Sequence, residues 1–233
     1  MKRRIARARV SAQALKASLR QRVLVFAKAP VAGQVKTRLA GAIGADAAAE
    51  LYRRLAWRTL RVACAVAPQA VELWCAPDTT HGFFVQCTRE FGVTVHPQVG
   101  EDLGSRMALA LEQALGRADR AVLIGTDCPD YDACYLRSAF SSLCAGRDVV
   151  LGPAQDGGYA LIGMSSLWAE VFRDIPWGSS GVLAQTRRRL AALGLDWHEL
   201  PWVRDIDRPE DVSALAGPLS LLGEECTAPA PWR

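Results

Sequence analysis

The chain has 233 residues, of which 50% are hydrophobic and 22% are charged, and its formal net charge is +4. This composition is typical of an ordinary globular domain and excludes disordered, collagen-like and coiled-coil proteins, while no apolar run reaches the ~20 residues that span a bilayer. Residues 1–22 hold eight Lys and Arg and no acidic residue, so the rest of the chain is net negative, which argues against a nucleic-acid-binding protein.

The two ends of the chain are expected to lie outside the fold. Residues 1–22 are interpreted as a basic, disordered leader, with an organelle transit peptide as the alternative, because they lack the apolar segment of a secretory signal. Residues 217–233 are predicted to be a flexible tail. The seven cysteines show no C-x-x-C spacing, which is typical of reduced thiols in a cytoplasmic protein.

Short β-branched runs alternate with helical stretches over the rest of the chain. The predicted strands are residues 23–27, 71–76, 93–97, 121–126, 148–153 and 159–164. The predicted helices are residues 47–66, with Asp46 as N-cap, and residues 79–91, 105–115 and 132–144. Residues 179–216 are predicted to add a helix, a strand and a final helix.

This alternation predicts a single α/β domain over residues 23–216, with helices on both faces of one sheet. The runs 148–153 and 159–164 are close enough to form a hairpin, so the sheet is predicted to be mixed and mostly parallel. In such three-layer α/β/α domains, ligands bind at the carboxyl ends of the strands. The loops after the strands are therefore where a functional site is expected.

The loop at residues 28–39 combines Gly33 with the cations Lys28, Lys36 and Arg38 directly after the first strand. Cations and free amides at a strand-to-helix junction favour phosphate binding. A solvated basic turn is the alternative, since the Gly-Lys-Ser/Thr of a P-loop is absent.

Two acidic segments also follow predicted strands. In residues 125–130, Asp127 is placed to hold a divalent cation such as Mg²⁺, or else Asp127 or Asp130 caps the next helix. In residues 205–212, Asp207 and Glu210 have the spacing of a capping box, and Asp205 or Asp207 is the alternative second metal ligand.

Two further loops have both a functional and a structural interpretation. Arg106, in residues 98–107, is placed to contact a nucleotide, or else the acidic residues before it favour the helix dipole. Asp156, Gly157 and Gly158 leave room for a ligand, but alone they favour a plain hairpin turn. The sequence has no G-x-S-x-G, which excludes a serine hydrolase, and no G-x-G-x-x-G dinucleotide motif.

Taken in order, these segments resemble one family. They are FAKAPVAGQVKTRL (26–39), DLGSRM (102–107), GTDCPD (125–130), LGPAQDGGYALIGM (151–164), Trp177-Gly178 and DIDRPEDV (205–212). The family is that of bacterial GT-A-fold glycosyltransferase-like proteins, often associated with radical-SAM proteins, within the nucleotide-diphospho-sugar transferase superfamily. Residues 36–39 and 207–211 are also similar, more weakly, to guanylyltransferases. The usual Asp-x-Asp metal motif is missing, and Asp127-Cys128-Pro129-Asp130 stands in its place.

The resemblance implies a metal-dependent transferase with a nucleotide-activated donor, an NDP-sugar or NTP, and a small-molecule acceptor, without nucleic acid or membrane span. It implies nucleotide binding by Lys28, Gly33, Lys36, Arg38, Gly104 and Arg106. It implies Mg²⁺ or Mn²⁺ at Asp127 and Asp207, catalysis by Asp156, and acceptor binding by Gly157, Gly158 and Tyr159. Glycosyl transfer, nucleotidyl transfer with release of pyrophosphate, and a non-catalytic nucleotide sensor all remain open, as does the oligomeric state.

Overall fold

A computed structural model describes residues 21–213, so most of the predicted leader and all of the predicted tail lie outside the described residues. Seven strands form one sheet in the order β3-β2-β1-β4-β6-β5-β7. The strands are β1 (Gln21–Lys28), β2 (Val71–Ala76), β3 (Thr94–Pro97), β4 (Arg120–Ile124), β5 (Val149–Pro153), β6 (Tyr159–Met164) and β7 (Trp197–Glu199).

The sheet is mixed, as predicted. β6 runs antiparallel to both of its neighbours, β4 and β5, whereas the other neighbouring strands are parallel. Because β6 is reversed, the turn that precedes it lies at the same edge as the carboxyl end of β4. This edge therefore gathers the loops after β1, β4, β5 and β7.

Helices cover both faces of the sheet. They are α1 (Thr37–Ile43), α2 (Ala45–Val66), α3 (Gly82–Phe91), α4 (Leu103–Leu115), α5 (Ala133–Cys144), α6 (Val182–Ala192) and α7 (Pro209–Ser213), with a 3₁₀ turn at Ala169–Phe172. Successive residues of β1 alternate between the two faces. Val23 and Val25 pack in one core with residues of α2, α3 and α5, whereas Leu24 and Phe26 pack in another with residues of α4 and α6. The three-layer α/β/α prediction is confirmed.

Several helix starts differ from the predictions for local reasons. Asp46 is not an N-cap: Gly44 precedes α2, and Asp46 lies in the first turn of that helix. α3 begins at Gly82, because Phe83 N–H donates to Nδ1 of His81 (3.1 Å) and caps the helix there. α1 was not predicted as a separate helix, since its seven residues bury only Leu39 and show little periodicity. No helix among the described residues has the length and apolar character needed to cross a membrane.

Candidate active site

The loop between β1 and α1 has an unusual backbone. Gly33 has φ +78°, and Lys36 has φ +49° and ψ +41°, a left-handed conformation that is uncommon for a residue with a side chain. The Lys36 side chain is only 4% exposed. This conformation therefore places a buried ammonium group directly before α1.

Two ion pairs join this loop to the two predicted acidic loops. Lys36 Nζ lies 2.5 Å from Asp127 Oδ1, and Arg38 pairs with Asp207. A buried ammonium group needs a partner of opposite charge, and Asp127 supplies it. The structure thus brings together four of the predicted site residues, two as cations and two as carboxylates, at one edge of the sheet.

The loops after β4 and β7 are also fixed to each other. Ile206 N–H donates to the carbonyl of Asp127 (3.0 Å), and the guanidinium of Arg204 binds both carboxylate oxygens of Asp130 (3.1 and 2.9 Å). Partial burial acts to raise the pKa of Asp130, but the hydrogen bonds and charge of Arg204 hold it below its usual range. Asp130 is therefore a structural anchor of this edge.

The predicted capping roles fall to other residues. Asp132 caps α5, accepting from Tyr135 N–H (2.7 Å), so neither Asp127 nor Asp130 has that role. Asp211 accepts from the N–H groups of Asp207 and Arg208 (2.9 and 2.6 Å) before α7. The Asp207 carboxylate, not required there, pairs with Arg38 instead.

A group of acidic side chains surrounds Asp205. Burial raises the pKa of the Asp205 carboxyl, and the charges of Asp156 and Asp207 raise it further, while Lys36 opposes the rise. The Asp205 carboxylate is therefore close enough to Asp156 and to Asp207 to be repelled by each of them. Within residues 21–213, however, no three His, Cys, Asp or Glu side chains are arranged so that they could hold a metal ion as they stand.

The turn before β6 is shaped by its own packing. Gly158 N–H donates to Asp156 Oδ1 (2.8 Å), and the Asp156 side chain is exposed. Gly157 has φ +90°, and a Cβ there would lie 2.3 Å from the carbonyl oxygen of Ser180. Close contact with the start of α6 therefore requires Gly157 to be glycine, and the predicted room for a ligand is filled on that side.

Two of the remaining predicted site residues, Gly104 and Tyr159, pack against Trp177. A Cβ on Gly104 would lie 2.7 Å from the Trp177 indole, which covers this buried glycine. Tyr159 meets the Trp177 ring edge to face, at 6.3 Å between centroids. Arg106 Nε donates to the carbonyl of Gly100 (2.9 Å). Packing thus accounts for Gly104, and its contact with a nucleotide stays a prediction, as does that of Arg106.

Lys28 is placed differently from the other two cations of its loop. Its side chain is exposed at the end of β1, while its backbone N–H donates to the Tyr52 hydroxyl (2.7 Å). That hydroxyl also accepts from Thr126 Oγ1 (2.9 Å), next to Asp127. Tyr52 therefore joins the ends of β1 and β4. Sequence reasoning did not single it out, because a tyrosine in an amphipathic helix looks like any other core residue.

Comparisons with known proteins show the family and the fold of the chain. Residues 59–179, just over half of the chain, match a family described as "uncharacterized protein conserved in bacteria", DUF2064. The chain belongs to the DUF2064 family. No protein of curated function matches it.

Solved structures share the fold of this DUF2064 chain. A protein from Desulfovibrio desulfuricans G20, whose assignment as a nucleotide-diphospho-sugar transferase is itself provisional, is 32% identical, with a TM-score of 0.78; the match covers 85% of this chain and 87% of that one. This match confirms the predicted resemblance and the nucleotide-diphospho-sugar transferase fold.

More distant structures show the fold alone. The inositol-1-phosphate CTP transferase of T. maritima is 14% identical, with a TM-score of 0.58, and the match covers 88% of this chain and 95% of that one. Glucosyl-3-phosphoglycerate synthase of Mycobacterium tuberculosis, solved with Mn²⁺ and UDP, is 14% identical, with a TM-score of 0.52 and coverage of 86% and 77%. Glycosyl and nucleotidyl transferases thus both occur on this architecture.

Proposed function

We propose that this DUF2064 protein transfers a glycosyl group from a nucleoside-diphosphate sugar to a small acceptor. The observation that carries the proposal is the pairing of Lys36 with Asp127 and of Arg38 with Asp207 at the carboxyl edge of the sheet. Ligands of open α/β sheets bind at this edge. The 32% identity to the Desulfovibrio protein supports a sugar-nucleotide donor.

The β1–α1 loop is suited to the diphosphate of the donor. Arg38 is 64% exposed, so its guanidinium can leave Asp207 and bind a phosphate with two parallel hydrogen bonds. Lys28 is exposed at the end of β1, directly before this loop, and Gly33 lets the backbone approach the ligand closely. Lys36 is held in place by its burial and acts as a fixed positive charge.

A divalent cation fits the chemistry of the carboxylates at this edge. Mg²⁺ and Mn²⁺ prefer oxygen ligands, and Mg²⁺ is commonly held by one or two carboxylates together with substrate phosphates. Asp127 and Asp207 would hold the cation, and the repulsion around Asp205 shows an acidic region that a cation would relieve. When bound, the metal neutralises charge on the leaving diphosphate.

The role proposed for Asp156 is to act on the acceptor. Its carboxylate is exposed and oriented by Gly158 N–H, and its negative charge raises the pKa of the nearby Asp205 carboxyl. It can therefore accept a hydrogen bond from an acceptor hydroxyl and take up its proton. Gly157, Gly158 and Tyr159 follow directly and would line the acceptor side.

Nucleotidyl transfer is the second candidate. The grouping of Lys28, Lys36 and Arg38 in one loop would suit a triphosphate as well as a diphosphate. The two reactions differ in the bond that breaks: glycosyl transfer releases a nucleoside diphosphate, whereas nucleotidyl transfer releases pyrophosphate.

A thermal-shift panel of nucleoside triphosphates and nucleoside-diphosphate sugars, with and without Mn²⁺, tests both candidates. A ligand at 100 times its Kd adds ~2.7 kcal/mol, a shift of roughly 5–10 °C for a domain of this size. A Mn²⁺-dependent shift with sugar nucleotides only supports glycosyl transfer, and a shift with a triphosphate only supports nucleotidyl transfer. No shift with any nucleotide contradicts both.

Asp127→Asn is the matched test of the site, with Asp196→Asn as control. Asp196 pairs with Arg147 before β7, at the opposite edge of the sheet. Asp127→Asn should abolish the Mn²⁺-dependent shift, and Asp196→Asn should preserve it. An Asp127→Asn protein that responds to donor and Mn²⁺ like the wild type would exclude the assignment of Asp127.

A further inference from the structure

A second cluster of charged side chains lies at the amino ends of β1, β2 and β3, at the opposite edge of the sheet from Lys36 and Asp127. It surrounds a cavity of about 210 Å³, whose charged lining consists of Arg22, Glu72, His96 and Arg117. None of these residues takes part in the proposed transferase site. The lining thus holds two guanidinium groups and an imidazole against a single carboxylate.

The carboxylate of Glu72 is the centre of this cluster. Its side chain is only 6% exposed. Oε1 accepts from Arg117 Nη2 (2.9 Å) and lies 3.6 Å from Arg22 Nε. Oε2 is buried without a hydrogen-bond partner, and His96 Nε2 is 3.8 Å away. The buried carboxylate is thus bound by Arg117, with Arg22 and His96 also within 4 Å of its oxygens.

Arg117 gives the cavity its binding capacity. It follows α4, its side chain is 49% exposed, and it donates to Glu72 through Nη2. A guanidinium is a planar fork of five donors that matches the oxygens of a carboxylate or phosphate. The side of this fork that faces away from Glu72 can therefore receive a second anion.

His96 closes the other side of the cavity. Its ring stacks on the indole of Trp74, with 4.9 Å between centroids, which fixes the position of the imidazole. An imidazole has an N–H donor in either of its neutral tautomers, so the ring can donate a hydrogen bond to an oxyanion in the cavity.

We propose that this cavity is a second ligand site, which binds a small oxyanion between Arg117 and His96. Its volume is below the ~300 Å³ of a typical pocket for a drug-sized molecule, so the ligand is a free phosphate or a small carboxylate or phosphate ester rather than a nucleotide. The proposal does not depend on the transferase activity.

The test is a titration of the ¹⁵N-labelled full-length protein with inorganic phosphate, followed through backbone amide shifts. In the wild type, amides of residues 92–94 at the cavity should shift in a saturable way. Arg117→Gln should weaken this binding by about tenfold, because a charge-assisted bidentate contact is lost. Arg38→Gln is the matched control at the other edge and should leave the shifts of residues 92–94 unchanged.

Glu72→Gln should strengthen phosphate binding, whereas Arg117→Gln should weaken it. It removes the negative charge that competes for Arg117 and Arg22, so phosphate should bind several-fold more tightly. A purely structural cluster would show no such tightening. If this variant does not fold, Arg117→Gln alone decides. That variant is expected to fold, because Arg117 is half exposed and Arg22 still lies beside the buried Glu72 carboxylate after the replacement.

A parallel titration with succinate separates the two ligand chemistries. Saturable binding of either anion that depends on Arg117 supports the proposal. Shifts confined to residues 33–37, equal affinity in wild type and Arg117→Gln, or an absence of saturable binding would each overturn it.

Discussion

Tyr52 shows how one side chain fixes the geometry of the candidate active site. Its hydroxyl lies between the last residue of β1 and the residue before Asp127, accepting from Lys28 N–H and from Thr126 Oγ1. Both contacts are within a buried region, since Tyr52 is 3% exposed and Thr126 is 2% exposed. The relative position of the basic loop and Asp127 therefore depends on this hydroxyl.

Tyr52→Phe should destabilise the fold by about 1–3 kcal/mol, because it leaves the partly buried N–H of Lys28 and the buried hydroxyl of Thr126 without their acceptor. The measurement is urea unfolding at neutral pH. Tyr135→Phe is the control: the Tyr135 hydroxyl donates to the carbonyl of Pro201 (3.0 Å) at an exposed position, so the loss should be smaller. Equal losses in the two variants would contradict the role given to Tyr52.

At the scale of secondary-structure elements, Asp130 and Arg204 connect the loop after β4 with the loop after β7. The carboxylate also accepts from the backbone N–H of Arg204 (2.9 Å). Arg204 keeps the pKa of Asp130 below its usual value, although partial burial opposes this. A carboxyl whose pKa is lower in the folded than in the unfolded protein stabilises the fold above the unfolded pKa.

The stabilisation of the fold by the Asp130 carboxylate should be lost in acid. It is fully present above about pH 4, near the pKa of an unfolded Asp, and is lost as the pH falls through the lower folded pKa. Asp130→Asn should therefore be less stable than the wild type at pH 7, and the difference should shrink below pH ~4. The difference is measured as the free energies of unfolding of the wild type and of Asp130→Asn from pH 7 to pH 3. A constant difference across this range would contradict the prediction.

The elements were more predictable than their contacts. Strands β1 to β6 each overlap a predicted apolar or β-branched run, so local pattern places them, and the closeness of residues 153 and 159 indicates the antiparallel pair. The three-residue β7 lacks such a pattern and was predicted only as a strand somewhere within residues 179–216. The grouping of Lys36, Arg38, Asp127 and Asp207 at one edge of the sheet was also predictable, since all four follow the carboxyl ends of strands. Which cation pairs with which carboxylate was not: Arg38 and Asp207 are 169 positions apart, and only the order of the strands brings them together.

For the molecule as a whole, the reactivity of the cysteines shows whether the core is packed. The six cysteines within residues 21–213 are all free thiols, three of them fully buried: Cys75, Cys87 and Cys128. Burial raises the pKa of Cys75 and of Cys128 to about 12, and nearby carboxylates contribute. Since the thiolate is the reactive form, these thiols are doubly protected, by enclosure and by protonation.

A thiol reagent such as Ellman's reagent should therefore react in two phases at pH 8. Cys134 and Cys144 are exposed and should react within minutes. Cys75, Cys87 and Cys128 should react only as fast as the protein opens, and all seven cysteines of the chain should react at once in denaturant. Mass spectrometry of the labelled peptides identifies the sites, and rapid labelling of Cys75 would be incompatible with the packed core.

The outermost strands of the sheet have a consequence for self-association. β3 is four residues long and β7 is three, and β3 ends at Pro97, which has no N–H to donate. Long, flat edge strands are templates on which further chains add and aggregate. The longest strand, the eight-residue β1, is paired on both sides between β2 and β4. The sheet of residues 21–213 therefore presents little free backbone to a neighbouring copy, and aggregation through this sheet should require that it unfold first.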